Sequence, residues 1–515
     1  MRLPEPVETA PTSRLGSDVR PTARNLRTGA IGLAALLYAL FLFRHASFAV
    51  GGSDSSGYAN AARAMVAGRL VVPIETTRLL GLSDTDGDLF VPLGFVWLRD
   101  RGAIAPFYPP GFPALVAAAS LLLGWEVGPY VVSPIAALIA LGLFSLVARE
   151  LGLSRPFTLA GVALLAAAPP FVLVALQPLS DVVATACCLA SVLAALRSRR
   201  RESWASVAGI AFGLAVLTRP ASLLLAPAIL VALWPGRRRF LFFLLGGIPA
   251  GAAQAAYNFA AFGNVFQTGY GVSLHWSAVA ARYFPTRFRL YTLWLVQMMT
   301  PLPVLGFLAT LGDRFQSLRT RLLLACWFGA FFVFFCFYTV GDFWHDTRFL
   351  LPGLPAMLLG FLFALVRLRD FLLGTRRVAR LAGAAVVVLL VMTVGAGASW
   401  IRNRGVLTIH DGEAWYPRSC RFAAARLPPR ALVLSCWTSG ALYYDGDLVP
   451  VRYDFLDPDR FQRTRRAAEA RGFRWYALVM KGEIPDAIKR VPGHWELLGE
   501  RGPASLWSLA REPEP

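Results

Sequence analysis

An aspartate occupies the most informative place in this sequence. Asp54 lies in Gly51-Gly52-Ser53-Asp54-Ser55-Ser56-Gly57-Tyr58, directly after the first long apolar segment. It opens a helix-like stretch, Ser55 to Ala67, that Gly68 ends. Two chemistries suit an acid there. It can accept hydrogen bonds from the free N–H groups of a first helical turn. It can also serve as a general base, held where one substrate arrives from a bilayer and another from water. Asp181 follows Pro178-Leu179-Ser180 at a helix start and offers a similar pair of readings, a cap or a group that orients an acceptor. Asp342, His345 and Asp346 could join Asp54 around a divalent ion, although their spacing on one element does not demand it. Asp84, Asp86 and Asp88, interrupted by Gly87, read as a solvated, turn-rich loop.

The elements that must position Asp54 are membrane spans. The chain has 515 residues, 56% of them hydrophobic and only 16% charged, with a mean hydropathy of +0.53. These values exclude a soluble globular protein and define a polytopic α-helical membrane protein. The formal charge of +20 comes from arginines clustered between apolar segments. That is the positive-inside pattern, and it argues against nucleic-acid binding. Residues 1–27 read as a disordered cytoplasmic tail, with no small-residue cleavage site after the first apolar run. Arg2, Arg14, Arg20, Arg24 and Arg27 precede that run, so the N-terminus is expected in the cytoplasm and Asp54 outside.

Alternation of apolar runs and cation clusters predicts about eleven spans within residues 28–401. They fall at 28–50, 129–148, 157–176, 179–196, 204–218, 221–235, 240–258, 290–311, 321–340, 349–366 and 381–400. The pair 204–218 and 221–235 is short and shares the turn Arg219-Pro220, so one kinked helix is the alternative. Residues 51–128 form the first outer loop. Its apolar run Ala114 to Leu123 is short of the roughly 20 residues a span needs and reads as a re-entrant or surface helix. Residues 402–515 have the composition of a small extracytoplasmic α/β domain. Ala431 to Cys436, Leu448 to Val451 and Trp475 to Met480 are candidate strands, Asp457 to Arg471 a helix, and Glu496 to Arg501 with Ser505 to Ala510 a hairpin. Cys420 and Cys436 both fall there and could pair, whereas Cys187, Cys188, Cys326 and Cys336 sit in apolar runs as packing residues.

Six stretches, in order, resemble the polyprenyl-phosphate-sugar-dependent glycosyltransferases of the GT-C fold. This superfamily includes the protein O-mannosyltransferases, the aminoarabinose transferase of lipid A and bacterial proteins similar to glycosyltransferase family 39. Asp54, Tyr58, Ala62 and Gly68 are spaced like that family's first outer loop, and Tyr108-Pro109-Pro110-Gly111-Phe112-Pro113 is similar to the paired-proline segment that closes it. Pro178 to Asp181 resembles an acidic span start. Gly209 to Pro220 resembles a glycine-rich span with a basic turn at Arg219, and Arg348-Phe349-Leu350-Leu351-Pro352 a late Arg-aromatic-Leu-Leu-Pro motif. Tyr257-Asn258 and the following Phe262 to Gly271, with Tyr270, are similar to a further family loop. One departure stands out. Eukaryotic protein mannosyltransferases carry Asp-Glu where this chain has Asp54-Ser55.

The resemblance implies a sugar leaving a polyprenyl phosphate for the hydroxyl of a lipid, glycan or protein acceptor, on the outer face of a bacterial inner membrane. Asp54 would take the hydroxyl proton. Arg219 and Arg348, at the outer ends of spans, would fork onto the phosphate, or else simply snorkel to the interface. Tyr58, Tyr108, Asp181, Tyr257, Asn258 and Tyr270 are the implied substrate contacts, and a divalent ion is possible. The rivals are a glycan ligase or polymerase, and a lipid-linked glycan flippase or transporter. A transporter should place broken helices and ionisable groups at mid-membrane; here the ionisable residues concentrate at span ends, and no pair of matching halves is visible.

Overall fold

The computed structural model describes residues 23–273, 278–339, 341–373, 379–446 and 448–510. Most of the expected tail and the turn at 374–378 lie outside them. The N-terminal unit ends at Phe41, and Leu42–Pro515 form a second compact unit. Helix α1, Ala23–His45, runs through that boundary.

Helix α2, Ser53–Val66, carries Asp54 at its second position. Its face from Ser55 to Ala62 is buried, and small residues dominate it because backbone must approach backbone there. Gly57 lies against Gly94: a Cβ on Gly94 would fall 2.2 Å from the Gly57 Cα, and one on Gly57 would fall 2.3 Å from the Tyr108 ring. Gly94 also has φ of 93°, which L side chains rarely adopt. The remainder of residues 51–128 before Gly111 includes helix α3, Thr76–Leu80, and a three-stranded antiparallel sheet in the order β1-β3-β2, with β1 Val72–Pro73, β2 Phe95–Leu98 and β3 Ala103–Pro106. The segment Asp84–Phe90 is a 3-10 helix.

The helices that follow are α4 Gly111–Leu123, α5 Gly128–Glu150, α6 Arg155–Ala166, α7 Pro169–Ala175, α8 Asp181–Arg197, α9 Trp204–Thr218, α10 Ala226–Leu233 and α11 Arg237–Phe262. The series continues with α12 Gly269–Ser273, α13 Phe284–Met299, α14 Leu302–Gly312, α15 Leu318–Phe337, α16 Leu354–Leu373 and α17 Ala379–Asn403. Four helices, the equivalents of α5, α11, α15 and α17, are long and apolar enough to cross a membrane singly, and up to seven spans result if each bent pair is one. The eleven expected segments all contain helix, but several are short or broken. Residues 157–176 divide into α6 and α7, bent by 63° before Pro169-Pro170. Residues 290–311 divide into α13 and α14, bent by 111°. Thr300, at φ 64°, turns the chain there, and Pro301 and Pro303 lack the N–H groups that would continue the ladder. Between α9 and the 3-10 turn Pro220–Leu225, Arg219 is extended, so its side chain leaves the helix axis. Helices α9 and α11 pack through small residues, with a Gly209 Cβ position 2.0 Å from Phe243 O and a Gly246 one 2.1 Å from Ser206 O.

After α17 come α18 Ile409–Ala424 and a five-stranded sheet in the order β5-β4-β6-β8-β7. Its strands are β4 Ala431–Leu434, β5 Val449–Val451, β6 Arg474–Met480, β7 Trp495–Arg501 and β8 Ala504–Leu509, interleaved with α19 Ser439–Asp445, α20 Pro458–Glu469 and α21 Ile484–Arg490. β4 is parallel to β5 and β6; β8 is antiparallel to β6 and β7. Strand alternation separates two cores. Leu432, Leu434, Trp475 and Ala477 face one, with Phe461 and Val451. Ala431, Val433, Tyr476 and Leu478 face the other, with Cys420 and Leu442. Cys436 packs against the first core and Cys420 lies within the second, so the sheet separates them and both are free thiols.

This sheet is joined to residues 51–128. The Asp84–Phe90 segment is not a solvated turn: Arg460 donates to Asp86 Oδ1 at 3.1 Å and to Asp88 Oδ1 at 2.5 Å, and Leu80, Leu89 and Phe90 enter the first core. Asn60 Nδ2 donates to Gly440 O at 2.9 Å, which fixes α2 to α19. Gly57→Ala should therefore push Tyr108 and α2 apart, with a stability loss of about 1–3 kcal/mol. Thermal unfolding of purified membrane protein checks this. An unchanged midpoint would show that the two glycines are not in tight contact.

Candidate active site

Asp54 does not cap its helix. Gly52 is the N-cap residue and no side chain caps it. Both carboxylate oxygens of Asp54 are committed elsewhere: the Tyr108 hydroxyl donates to Oδ1 at 2.6 Å and Arg348 Nη2 donates to Oδ2 at 2.6 Å. Arg348 sits in the 3-10 turn Trp344–Leu350, so the contact closes across 294 residues of sequence. Burial acts to raise the Asp54 carboxyl, but the Arg348 charge and the two hydrogen bonds outweigh it and hold Asp54 below the ordinary carboxylate range. Burial and the Asp54 charge hold the Tyr108 phenol well above its ordinary value, so it stays a hydrogen-bond donor at neutral pH.

A second ion pair stands beside the first. Arg219 is paired with Asp181, which is buried in the first turn of α8, where a negative charge also suits the helix dipole. The Phe349 ring contacts both cations, 5.4 Å from the Arg219 guanidinium and 5.1 Å from that of Arg348. Neither arginine is a free interfacial side chain. Their side chains are 17% and 20% exposed, which is inconsistent with snorkelling into water.

Aromatic residues complete the setting. The Tyr58 hydroxyl and Ser180 Oγ are 2.7 Å apart, and the Tyr58 ring lies 4.4 Å from Tyr108 and 4.8 Å from Phe112. Tyr257 donates to the Tyr108 carbonyl at 3.2 Å. Tyr270 packs on Phe107 at 4.6 Å and lies close enough to Arg219 and Asp54 to feel their charges. Asn258 behaves differently. It donates to Val265 O at 2.8 Å and accepts from Gln254 at 2.7 Å, so it ties down its own loop.

A cavity of about 600 Å³ opens on Asp54 and Arg348. Helix α18 supplies part of its wall, through Glu413 and Tyr416, and Arg404 and Trp344 also line it. Glu413 Oε2 accepts from the Gly52 N–H at 3.1 Å, just before Asp54. Burial, and secondarily the charge of Asp54, raise the Glu413 carboxyl against the opposing Gly52 bond. Sequence reasoning passed over Glu413 and Tyr416. Their one signal was an acid-aromatic run, Glu413-Ala414-Trp415-Tyr416, soon after the last apolar segment.

The acids considered for a divalent ion have protein partners here. Asp54 is engaged on both oxygens, Asp342 is 72% exposed and paired with Arg287 at 2.8 Å, and Asp346 accepts from the Phe343 N–H. Among the described residues no three His, Cys, Asp or Glu side chains converge.

Comparisons with known proteins match part of the sequence to a family profile and the fold to solved structures. Residues 108–245 match the profile of the family described as Dolichyl-phosphate-mannose-protein mannosyltransferase. The chain superposes on the crystal structure of ArnT from Cupriavidus metallidurans in the apo state with a TM-score of 0.57 at 13% identity, covering 94% of this chain and 98% of that one. For ArnT bound to undecaprenyl phosphate the values are 0.52 and 15%, with 93% and 98% covered. The arabinofuranosyltransferase AftD from Mycobacteria gives 0.55 at 14%, with 94% of this chain but 40% of that chain covered. A comparison with curated proteins finds no match.

If ionised Asp54 is the working form, Tyr108→Phe should move the acid limb of kcat/KM upward, because one hydrogen bond to the carboxylate is lost. The Asp54 ion pair also contributes stability above the unfolded carboxylate value of about 4 and loses it as pH falls through the lower folded value. A pH series of unfolding midpoints should show wild type above Tyr108→Phe by a constant offset at neutral pH, with the two curves converging as pH falls through the folded values of Asp54. Parallel curves would mean that the hydroxyl does not tune Asp54.

Proposed function

We propose that this protein transfers a sugar from a polyprenyl-phosphate donor to a hydroxyl of an envelope glycan, lipid or protein on the outer face of a bacterial inner membrane. The observation that carries this reading is the bridge from Tyr108 through Asp54 to Arg348 at the wall of an open cavity. The N-terminus is then cytoplasmic and residues 402–515 extracytoplasmic, as the arginine distribution supports.

In the transfer, the acceptor oxygen bonds to the anomeric carbon, the bond from that carbon to the phosphate oxygen breaks, and the acceptor proton passes to Asp54. The polyprenyl phosphate departs with an additional negative charge. A base held by an arginine is a weak base, and the site offers a way round this. Asp54, Asp181, Arg219 and Arg348 are formally neutral together, so an arriving phosphate competes with Asp54 for Arg348. Arg348 Nε is buried and has no hydrogen-bond partner among the described residues, which leaves a donor for a phosphate oxygen. As Arg348 turns to the phosphate, Asp54 loses the charge that depressed its affinity for protons and becomes a better base. Donor binding thereby switches on proton acceptance. Arg219, steadied by Asp181, would add a second positive charge as the leaving group develops.

Cells lacking the native protein and complemented with wild type or Asp54→Asn at matched abundance provide the test. Mass spectrometry of their polyprenyl-phosphate lipids and envelope glycans should show a sugar-bearing lipid accumulating in the variant and one glycan residue missing, with transfer reduced about 10²-fold or more. Lipids and glycans identical in the two complemented strains, but different in the null, would remove Asp54 from the chemistry and favour a lipid-linked glycan flippase.

A further inference from the structure

The far end of the helix that positions Asp181 holds a second charged pocket. Helix α8 has 17 residues, so its C-terminus at Arg197 lies about 25 Å from Asp181. There the ends of α5 and α8 meet the start of α15 around a cavity of about 300 Å³. Glu150, Arg199, Arg200, Arg319 and Thr320 line it together with Leu151, Leu196 and Leu323.

The charges at this pocket do not balance. Glu150 is shared between Arg200 at 3.0 Å and Arg197 at 3.7 Å. Arg319 spends Nε and Nη2 on the last carbonyls of α10, from Val231 at 3.1 Å and Ala232 at 2.7 Å. Arg199, Arg239 and Arg319 have no carboxylate partner in any ion pair among the described residues. They are near enough to repel one another: burial and then the Arg239 charge make the Arg199 guanidinium a weaker base than usual. Arg199, Arg200 and Arg319 thus converge on the cavity, with the charge of Arg239 near by, at the start of the 20-residue helix α15, whose first turn is capped by Ser317 through Thr320. This cluster of guanidinium groups suits an anion.

We propose that this pocket binds a phosphate group, that of an anionic phospholipid headgroup or of a free phosphate. Guanidinium forks match phosphate oxygens, and the leucine wall suits the glycerol and first methylenes of a lipid. The pocket is distinct from the Asp54 cavity, and the inference does not depend on the reaction assigned there.

Thermal unfolding and native mass spectrometry of the full chain test it, using wild type, Arg199→Gln and, as a control of equal charge change, Arg201→Gln. Arg199 makes no hydrogen bond or ion pair described above, so its substitution should fold. In phosphatidylcholine nanodiscs Arg199→Gln should unfold at the same temperature as wild type or higher, since a repelling charge is gone. In phosphatidylglycerol nanodiscs wild type and Arg201→Gln should gain stability and retain bound lipid, while Arg199→Gln binds about five- to tenfold more weakly. Stabilisation by inorganic phosphate in phosphatidylcholine, lost in Arg199→Gln, identifies free phosphate as the ligand. Equal responses of all three proteins to both probes, or equal losses in Arg199→Gln and Arg201→Gln, would overturn the proposal.

Discussion

The hydrogen-bonded bridge that Asp54 makes to Tyr108 and Arg348 constrains everything around it. A carboxylate at the edge of an apolar bundle needs compensation, and here it receives a neutral donor from the end of the outer loop and a cation from a turn between two distant helices. Each partner must in turn be held. Tyr108 is wedged by Tyr58 and by the contact of Gly57 with Gly94. Arg348 is held in a turn whose following residues, Leu350, Leu351 and Leu354, are buried. The glycines, the prolines at 109 and 110 and the leucines after Arg348 are thus parts of one positioning device.

Much of this was legible in the sequence, and the reasons are local. An acid after an apolar segment, a paired-proline segment containing Tyr108 and an arginine preceding an aromatic residue are short patterns, so Asp54, Tyr108 and Arg348 could be named individually. The strands of the C-terminal sheet were equally visible, because strands buried on both faces leave continuous apolar runs, Ala431 to Leu434 and Trp475 to Met480. What could not be read was how these pieces join. Nothing in Asp86 or Asp88 announces Arg460, and a Gly-rich acidic run has the same composition whether it faces water or a guanidinium. Glu413 was invisible for a related reason, since its partner is the backbone of Gly52. Helix breaks were harder than helices: hydropathy at 290–311 is continuous through Thr300, where the chain turns sharply.

The C-terminal sheet also bears on the cavity more directly than its composition suggests. Through α18 it supplies a carboxylate and a phenol to the wall, and through α19 and Arg460 it grips both α2 and the loop behind it. The face of the site is therefore built by two regions, the helices and the C-terminal sheet. The helices provide charges fixed in a medium of low polarity, while the sheet provides polar groups and access to water.

The 294-residue separation of Asp54 from Arg348 has a consequence for biosynthesis. At the usual pace of about 5–20 residues per second, a ribosome needs on the order of 15 to 60 seconds after making the acid before it makes its cation. Glu413 and α19 emerge later still. Throughout that interval the early helices must insert with the Asp54 carboxylate lacking its arginine, and the cavity lacks the part of its wall that Arg348, Glu413 and Tyr416 supply. The bridge from Asp54 to Arg348 and the contact of Glu413 with Gly52 are thus completed only after most of the chain has been made, so a chain released early holds neither.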